Sequence, residues 1–120
     1  MAEKIRKFET GADRDLDDNK IDFRGMYSPL VLKAYGEYMH AKRIRKDGTI
    51  RSNDNWKKGF PYKSFMESGW RHFMDWYTEH EGYKTEEGVK TALMGLMFNA
   101  MGYLHQILEE ELKKETNGKK

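Results

Sequence analysis

Apolar side chains recur at helical spacing in three stretches of the chain, separated by polar, turn-forming residues. The clearest stretch runs from Pro61 to Gly82. There Phe65, Gly69, His72, Phe73, Trp76 and His80 fall on or beside one stripe, and Ser64, Ser68, Arg71 and Asp75 form the next stripe round. The pattern predicts one helix with a packing face and a polar seam beside it. Pro61 suits a first helical turn, where its missing N–H leaves nothing unpaired, and Gly82 suits the position just past the last turn. An earlier helix, about Pro29 to Arg43, is announced by Ser28 as cap and Pro29 as opener. Along it Val31, Tyr35, Tyr38 and Met39 form a broad apolar face, while Leu30, Ala34, Glu37 and Ala41 line a narrower strip.

The last predicted helix spans about Glu86 to Lys114, with Thr85 as its cap and Glu86 and Glu87 in its first turn, where negative charge suits the helix dipole. Its aliphatic face carries Leu93, Leu96, Met97, Ala100, Leu104, Ile107 and Leu108, and a second row consists of Ala92, Gly95, Asn99 and Gly102. A glycine costs a helix roughly 1 kcal/mol against alanine, so two in one row predict that another backbone or a ligand comes close. From Ile44 to Phe60 the periodicity stops. Asp47-Gly48 allows a short hairpin anchored by Ile44 and Ile50, and Trp56 is a ring expected to pack back onto the protein. No other strand is predicted. Residues 1–20 read as a charged arm, 21–114 as one helical domain and 115–120 as a polar tail. The expected fold is all-α: a bundle of three main helices plus a long polar connection, completed by a short fourth helix or by a second subunit in a homo-oligomer.

Composition narrows the function classes. A chain of 120 residues with six Phe, seven Tyr and three Trp has material for one modest core. A net charge of only +2 from 22 basic and 20 acidic residues argues against a dedicated nucleic-acid binder. Without cysteine there is no disulfide, thiolate metal site or cysteine nucleophile. No apolar run approaches the ~20 residues of a membrane span, and the start MAEKIRKFET lacks a signal-peptide core, so a soluble protein of the cytoplasm is expected, with no membrane partner.

Two constellations could carry chemistry. In the first, His72, Asp75 and Glu79 on the central helix are joined by Glu37 and Glu87 from the other two. Carboxylates converging from three helices would suit Mg²⁺ or Mn²⁺, which prefer oxygen ligands and bridge to phosphates. The plain alternative is a surface pair of His72 with Asp75 and an acidic helix start. In the second, Arg51, Asn53, Asp54, Asn55, Trp56, Lys57, Lys58 and Gly59 are flanked by Arg43, Arg45 and Lys46. Cations there could hold a triphosphate, while a ring and amides hold a base. The plain alternative is a solvated loop with its Trp tucked in. The methionines at 66, 74, 94, 97 and 101 read as adaptable core filling. P-loop, zincin, dinucleotide and hydrolase-elbow motifs are absent.

Several of these pieces stand in a familiar order. Asp18-Asn19-Lys20-Ile21-Asp22-Phe23, Ser28-Pro29, Asp54-Asn55-Trp56-Lys57-Lys58-Gly59, Trp70-Arg71-His72, Glu86-Glu87-Gly88 and Phe98-Asn99-Ala100 together resemble a family of small phage and prophage proteins described as dATP/dGTP diphosphohydrolase-like. The likeness runs from about Leu16 to Leu108, and NW-x-x-G followed by RH is its most specific element. It implies an all-α nucleotide pyrophosphohydrolase broadly comparable to the MazG type, with Lys20, Asn55, Trp56, Gly59, Arg71, His72, Glu87 and Asn99 as inherited candidates. The chain departs from the pattern at Lys90, Thr91 and Met94, where many relatives carry histidines, and it lacks the EExxE and ExxD runs of MazG.

The resulting expectation is a divalent-metal-dependent enzyme cutting a (deoxy)purine triphosphate to the monophosphate and pyrophosphate. His72, Glu37 and Asp75 would be catalytic, and Lys20, Asn55, Trp56, Lys58, Arg71 and Asn99 would bind substrate. Glu37, Asp75, Glu79 and Glu87 would hold the metal. The alternative expectation is a non-catalytic helical oligomer that binds a nucleotide or a host protein.

Overall fold

The structure, a computed structural model, describes residues 5–7, 9–15 and 19–118. Most of them are helical. The chain divides into two compact units, Met1–Leu32 and Lys33–Lys120.

The first unit begins with an antiparallel ribbon, β1 (Ile5–Lys7) and β2 (Asp13–Asp15), in which Ile5 pairs with Asp15 and Lys7 with Asp13. Sequence periodicity predicts no strand here, because three-residue strands of mostly charged residues show no alternation to read. A short helix follows, α1 (Phe23–Met26), whose Gly25 N–H donates to the Asp22 carboxylate at 2.9 Å. Helix α2 (Pro29–Ala41) starts where the Ser-Pro pair predicts it: the Ser28 hydroxyl accepts from the Val31 N–H, and its carbonyl accepts from the Leu32 N–H. The unit boundary falls inside α2.

In the second unit, α2 ends in the expected hairpin. Ile44 and Ile50 form an antiparallel bridge, Arg45 N–H donates to Thr49 O at 2.8 Å, and Arg51 N–H donates to Arg43 O at 2.8 Å. Asp47 holds the turn by accepting from the Thr49 hydroxyl at 2.6 Å and its N–H at 3.0 Å. Those hydrogen bonds keep the Asp47 carboxyl below its usual range. A single 3₁₀ turn, Asn55–Lys58, then leads to the long hairpin of α3 (Tyr62–His80) and α4 (Val89–Gly118). At the end of α3, Gly82 takes φ +96°, a conformation that glycine adopts without a Cβ penalty. Tyr83 N–H then reaches Thr78 O and Gly82 N–H reaches Glu79 O, the paired bonds of a Schellman stop.

The start of α4 corrects the sequence reading. The Thr85 hydroxyl does accept from the Gly88 N–H at 3.0 Å, but Gly88 sits at φ +81° and so cannot belong to the helix. Residues 85–88 therefore form a turn, and Glu86 and Glu87 stand just before the helix instead of in its first turn. At the other end α4 runs on to Gly118, beyond residue 114, because no breaker intervenes before that glycine.

The α3–α4 seam is built on the row of small residues. Ala92, Gly95, Asn99 and Gly102 are all buried. As α3 runs back from His72 through Gly69 to Phe65, α4 runs forward from Gly95 through Asn99 to Gly102. A Cβ on Gly95 would lie 2.5 Å from the His72 ring, and one on Gly102 would lie 2.6 Å from Phe65. The third close approach is reversed, with Gly69 on α3 taking the Asn99 side chain. Two rings thus sit in glycine notches. The Gln106 side chain fixes the preceding loop to α4 by accepting from the Phe60 N–H at 2.8 Å and donating to the Phe60 carbonyl at 2.9 Å. Trp56 adds an edge contact to the His105 ring, with centroids 4.9 Å apart. Packing elsewhere is sparse: Phe65 and Ala92 are the buried hydrophobic residues among those described, and α2 buries none.

Candidate functional site

One pocket of the second unit, about 320 Å³, is lined from four elements. The end of α2 gives Tyr38, Met39, Lys42 and Arg43, and the hairpin and 3₁₀ turn give Arg51, Ser52, Asn53, Asn55 and Trp56. Phe60 precedes α3, which gives Ser68 and His72, and α4 gives Phe98 and Asn99. The walls thus combine three cations, aromatic rings and three amides. The three cations are held locally. Arg51 donates to Lys42 O at 3.0 Å, Arg43 donates to His40 O at 3.3 Å, and the Lys42 ammonium lies 5.4 Å from the Tyr38 ring centroid. The NW-x-x-G run acquires a structural sense. Asn55 and Trp56 face the pocket, Gly59 closes the 3₁₀ turn, and Phe60 is then delivered to the Gln106 clamp.

At Ser68 and His72 this pocket meets a second depression, of about 480 Å³, lined by Ser68, Arg71, His72, Asp75, Glu86 and Glu87. His72 Nδ1 lies 2.8 and 3.0 Å from the two carboxylate oxygens of Glu87, and both side chains are less than one-fifth exposed. With the Nδ1 proton donated to Glu87, the lone pair of a neutral ring is on Nε2. The late start of α4 makes this pair, since the turn at 85–88 carries Glu87 back toward α3. Burial, and then the Glu87 charge, push the Tyr38 phenol above its usual range, which brings the end of α2 within the field of the same carboxylate.

Asn99 joins the site from the seam. It is 5% exposed, and its amide donates to Gly95 O at 2.8 Å and to the Ser68 hydroxyl at 3.2 Å. Its first role is therefore to position Ser68 and hold the two helices together. Arg71 and Asp75 line the carboxylate depression, as the polar seam of α3 predicts. Tyr38, Lys42 and Phe98 are pocket residues that the sequence reading passes over, although Tyr38 and Lys42 stand four apart on α2, the spacing that puts two side chains on one face.

Other expected residues are elsewhere. Glu37 is exposed on α2, because α2 flanks an open pocket and its alanine strip is not packed. Glu79 is spent on the turn, its carboxylate accepting from the Thr85 N–H at 2.7 Å and hydroxyl at 3.0 Å. Lys58 is exposed and outside the pocket lining, and the cations lining it are Lys42, Arg43 and Arg51. Lys20 belongs to the first unit.

Of the expected metal set, Asp75 and Glu87 line one depression together with His72, while Glu37 and Glu79 stand outside it. Among the described residues no three His, Asp or Glu side chains are grouped so that they could hold a metal ion. Among the described residues, the side chains as arranged do not by themselves form a site for Mg²⁺ or Mn²⁺. No protein-family model matches this chain, and no curated protein or solved structure matches it. The site accordingly has to be read from its own chemistry. Among the described residues, no helix is long and apolar enough to cross a membrane.

Proposed function

We propose that the chain binds a (deoxy)purine nucleoside triphosphate in the pocket between Trp56 and His72 and hydrolyses it to the monophosphate and pyrophosphate. The observation that carries this reading is the junction at Ser68 and His72, where a pocket lined by cations, rings and amides runs into a histidine–carboxylate pair. Lys42, Arg43 and Arg51 offset phosphate charge, Trp56 offers a face for the base, and Asn53 and Asn55 offer donors and acceptors to base or sugar. His72 Nε2 takes a proton from the attacking water as its oxygen bonds to phosphorus, and Glu87 stabilises the imidazolium that forms. The bond from phosphorus to the bridging oxygen breaks, and pyrophosphate leaves past Arg71, whose charge suits it. Mg²⁺ or Mn²⁺ belongs to this reading as the counter-ion of the triphosphate, whose own oxygens supply ligands that the protein does not. The preference for purines rests on the resemblance of the NW-x-x-G and RH motifs.

A second reading, a non-catalytic helical oligomer holding a nucleotide or a host protein, is favoured by the exposure of Glu37 and the commitment of Glu79 to its turn. A pyrophosphate-release screen over the common dNTPs and NTPs with Mg²⁺ or Mn²⁺ separates the two. Hydrolysis is expected from the wild-type chain and is expected to fall at least 100-fold in His72→Gln, consistent with the ~10²–10⁴-fold typical of a general base. Saturable nucleotide binding without pyrophosphate release from any substrate would establish the second reading.

A further inference from the structure

Ser68 and His72 are the two residues that line both depressions, and the reaction proposed above gives a task to His72 alone. Ser68 is half-buried and stands one helical turn before His72 on α3. Its hydroxyl is oriented by Asn99. A carbonyl can only accept a hydrogen bond, so the 2.8 Å contact with Gly95 O fixes which end of the Asn99 amide is the NH₂ group. That same nitrogen lies 3.2 Å from Ser68 Oγ and has only hydrogens to offer, so Ser68 is the acceptor in this bond. The neighbouring Gly69 leaves room for the amide, since a Cβ there would lie 3.4 Å from Asn99 Cβ.

A serine hydroxyl also has one hydrogen of its own to donate. The hydroxyls of Thr78 on α3 and Thr116 on α4 give theirs back to carbonyls four residues earlier, Met74 O at 2.7 Å and Leu112 O at 3.0 Å. Among the described residues no carbonyl or carboxylate takes the hydrogen of Ser68, whose one bond is the one it accepts from Asn99. We infer that Ser68 is a phosphate-contacting donor, its O–H directed at a phosphate oxygen of the bound nucleotide where the two depressions meet, with Asn99 as the positioning residue that holds it there. This inference rests on the nucleotide reading. Location favours phosphate over base or sugar: Ser68 lies between Lys42, Arg43 and Arg51 in one depression and Arg71 in the other, so a chain of phosphates held by these cations passes it. Accepting from Asn99 also polarises the hydroxyl and makes it a better donor. No covalent bond to Ser68 is formed or broken.

Titration of the full chain with the non-hydrolysable α,β-methylene analogue of dATP and Mg²⁺ tests it. Ser68→Ala is expected to weaken binding about tenfold or more, the scale of a lost hydrogen bond to a charged group. Asn99→Ala is expected to weaken it as well, and the double variant to bind no more weakly than Ser68→Ala, because Asn99 acts through the hydroxyl. Deoxyadenosine, which has no phosphate, is expected to lose nothing in Ser68→Ala. Binding of the analogue by the wild type with no loss in Ser68→Ala overturns the inference and leaves the nucleotide reading standing, as does an equal loss for deoxyadenosine. This arm decides even where Asn99→Ala fails to fold. Losses that add in the double variant overturn the part given to Asn99. A nucleotidyl group found on Ser68 by intact mass after incubation with dATP also overturns the inference, by making the hydroxyl a nucleophile. No saturable binding to the wild type removes the nucleotide reading and this inference with it.

Discussion

The two sides of the α3–α4 pair solve opposite problems with the same two helices. On one side the groups are polar and satisfied: His72 is fixed by Glu87, Asn99 by Gly95 O and Ser68, and basic and aromatic residues stand around the opening. On the other side, Met66, Trp70 and Leu104 are apolar and exposed. The row Gly95, Asn99, Gly102 separates the two, letting rings from α3 sink into α4. The same two helices thus present a polar site on one side and an exposed apolar surface on the other.

The largest expected effect falls on that dividing row. Gly95→Leu puts a branched side chain where a single Cβ already meets the His72 ring, and Gly102→Leu does the same to Phe65. Each should lower unfolding free energy by about 1–3 kcal/mol in urea titrations at unchanged slope. A neutral result for both would mean that the seam is not where the two sides are divided. Asn99→Ala removes the bonds to Gly95 O and Ser68 and should cost about 1–2 kcal/mol, with the loss felt on the pocket side.

The smallest effect is at Tyr35, whose hydroxyl is buried with no hydrogen-bond partner among the described residues. Tyr35→Phe removes that orphan and should be neutral or stabilising by up to about 1 kcal/mol. Burial, and then Tyr38, push the Tyr35 phenol up to about 12 from 10.0. A raised folded-state value favours the neutral phenol, so this contribution is full below pH 10.0 and is lost as pH rises through about 12. Stability measured across that window should fall less steeply in Tyr35→Phe than in the wild type.

What was legible in the sequence follows the same division. Pro61, Gly82 and the row Ala92, Gly95, Asn99, Gly102 declare themselves because each solves a local backbone problem: a start, a stop and a close approach. The Ile44–Ile50 bridge is legible for the same reason, since Asp47-Gly48 dictates its turn. Glu37 is misread because periodicity groups residues on a strip without saying whether anything packs on it. Glu79 and Glu87, two of the four expected metal ligands, take separate partners because one glycine, Gly88, moves the helix start by a turn and hands one carboxylate to Thr85 and the other to His72. The pocket cations Lys42 and Arg43 are visible as charges, but only the fold brings them beside Trp56.

The most direct measurement is an isothermal titration of a purine deoxynucleoside triphosphate with Mg²⁺ into the wild type, Lys42→Glu and Trp70→Glu. One saturable site per chain is expected, weakened about tenfold or more by Lys42→Glu, in line with the ~1.5–3 kcal/mol of a charge-assisted hydrogen bond. In Trp70→Glu the stoichiometry should persist, because the substitution lies on the opposite side of the helix pair. No saturable heat with the wild type, or a binding constant that Lys42→Glu leaves unchanged, would contradict the assignment of the Trp56–His72 pocket.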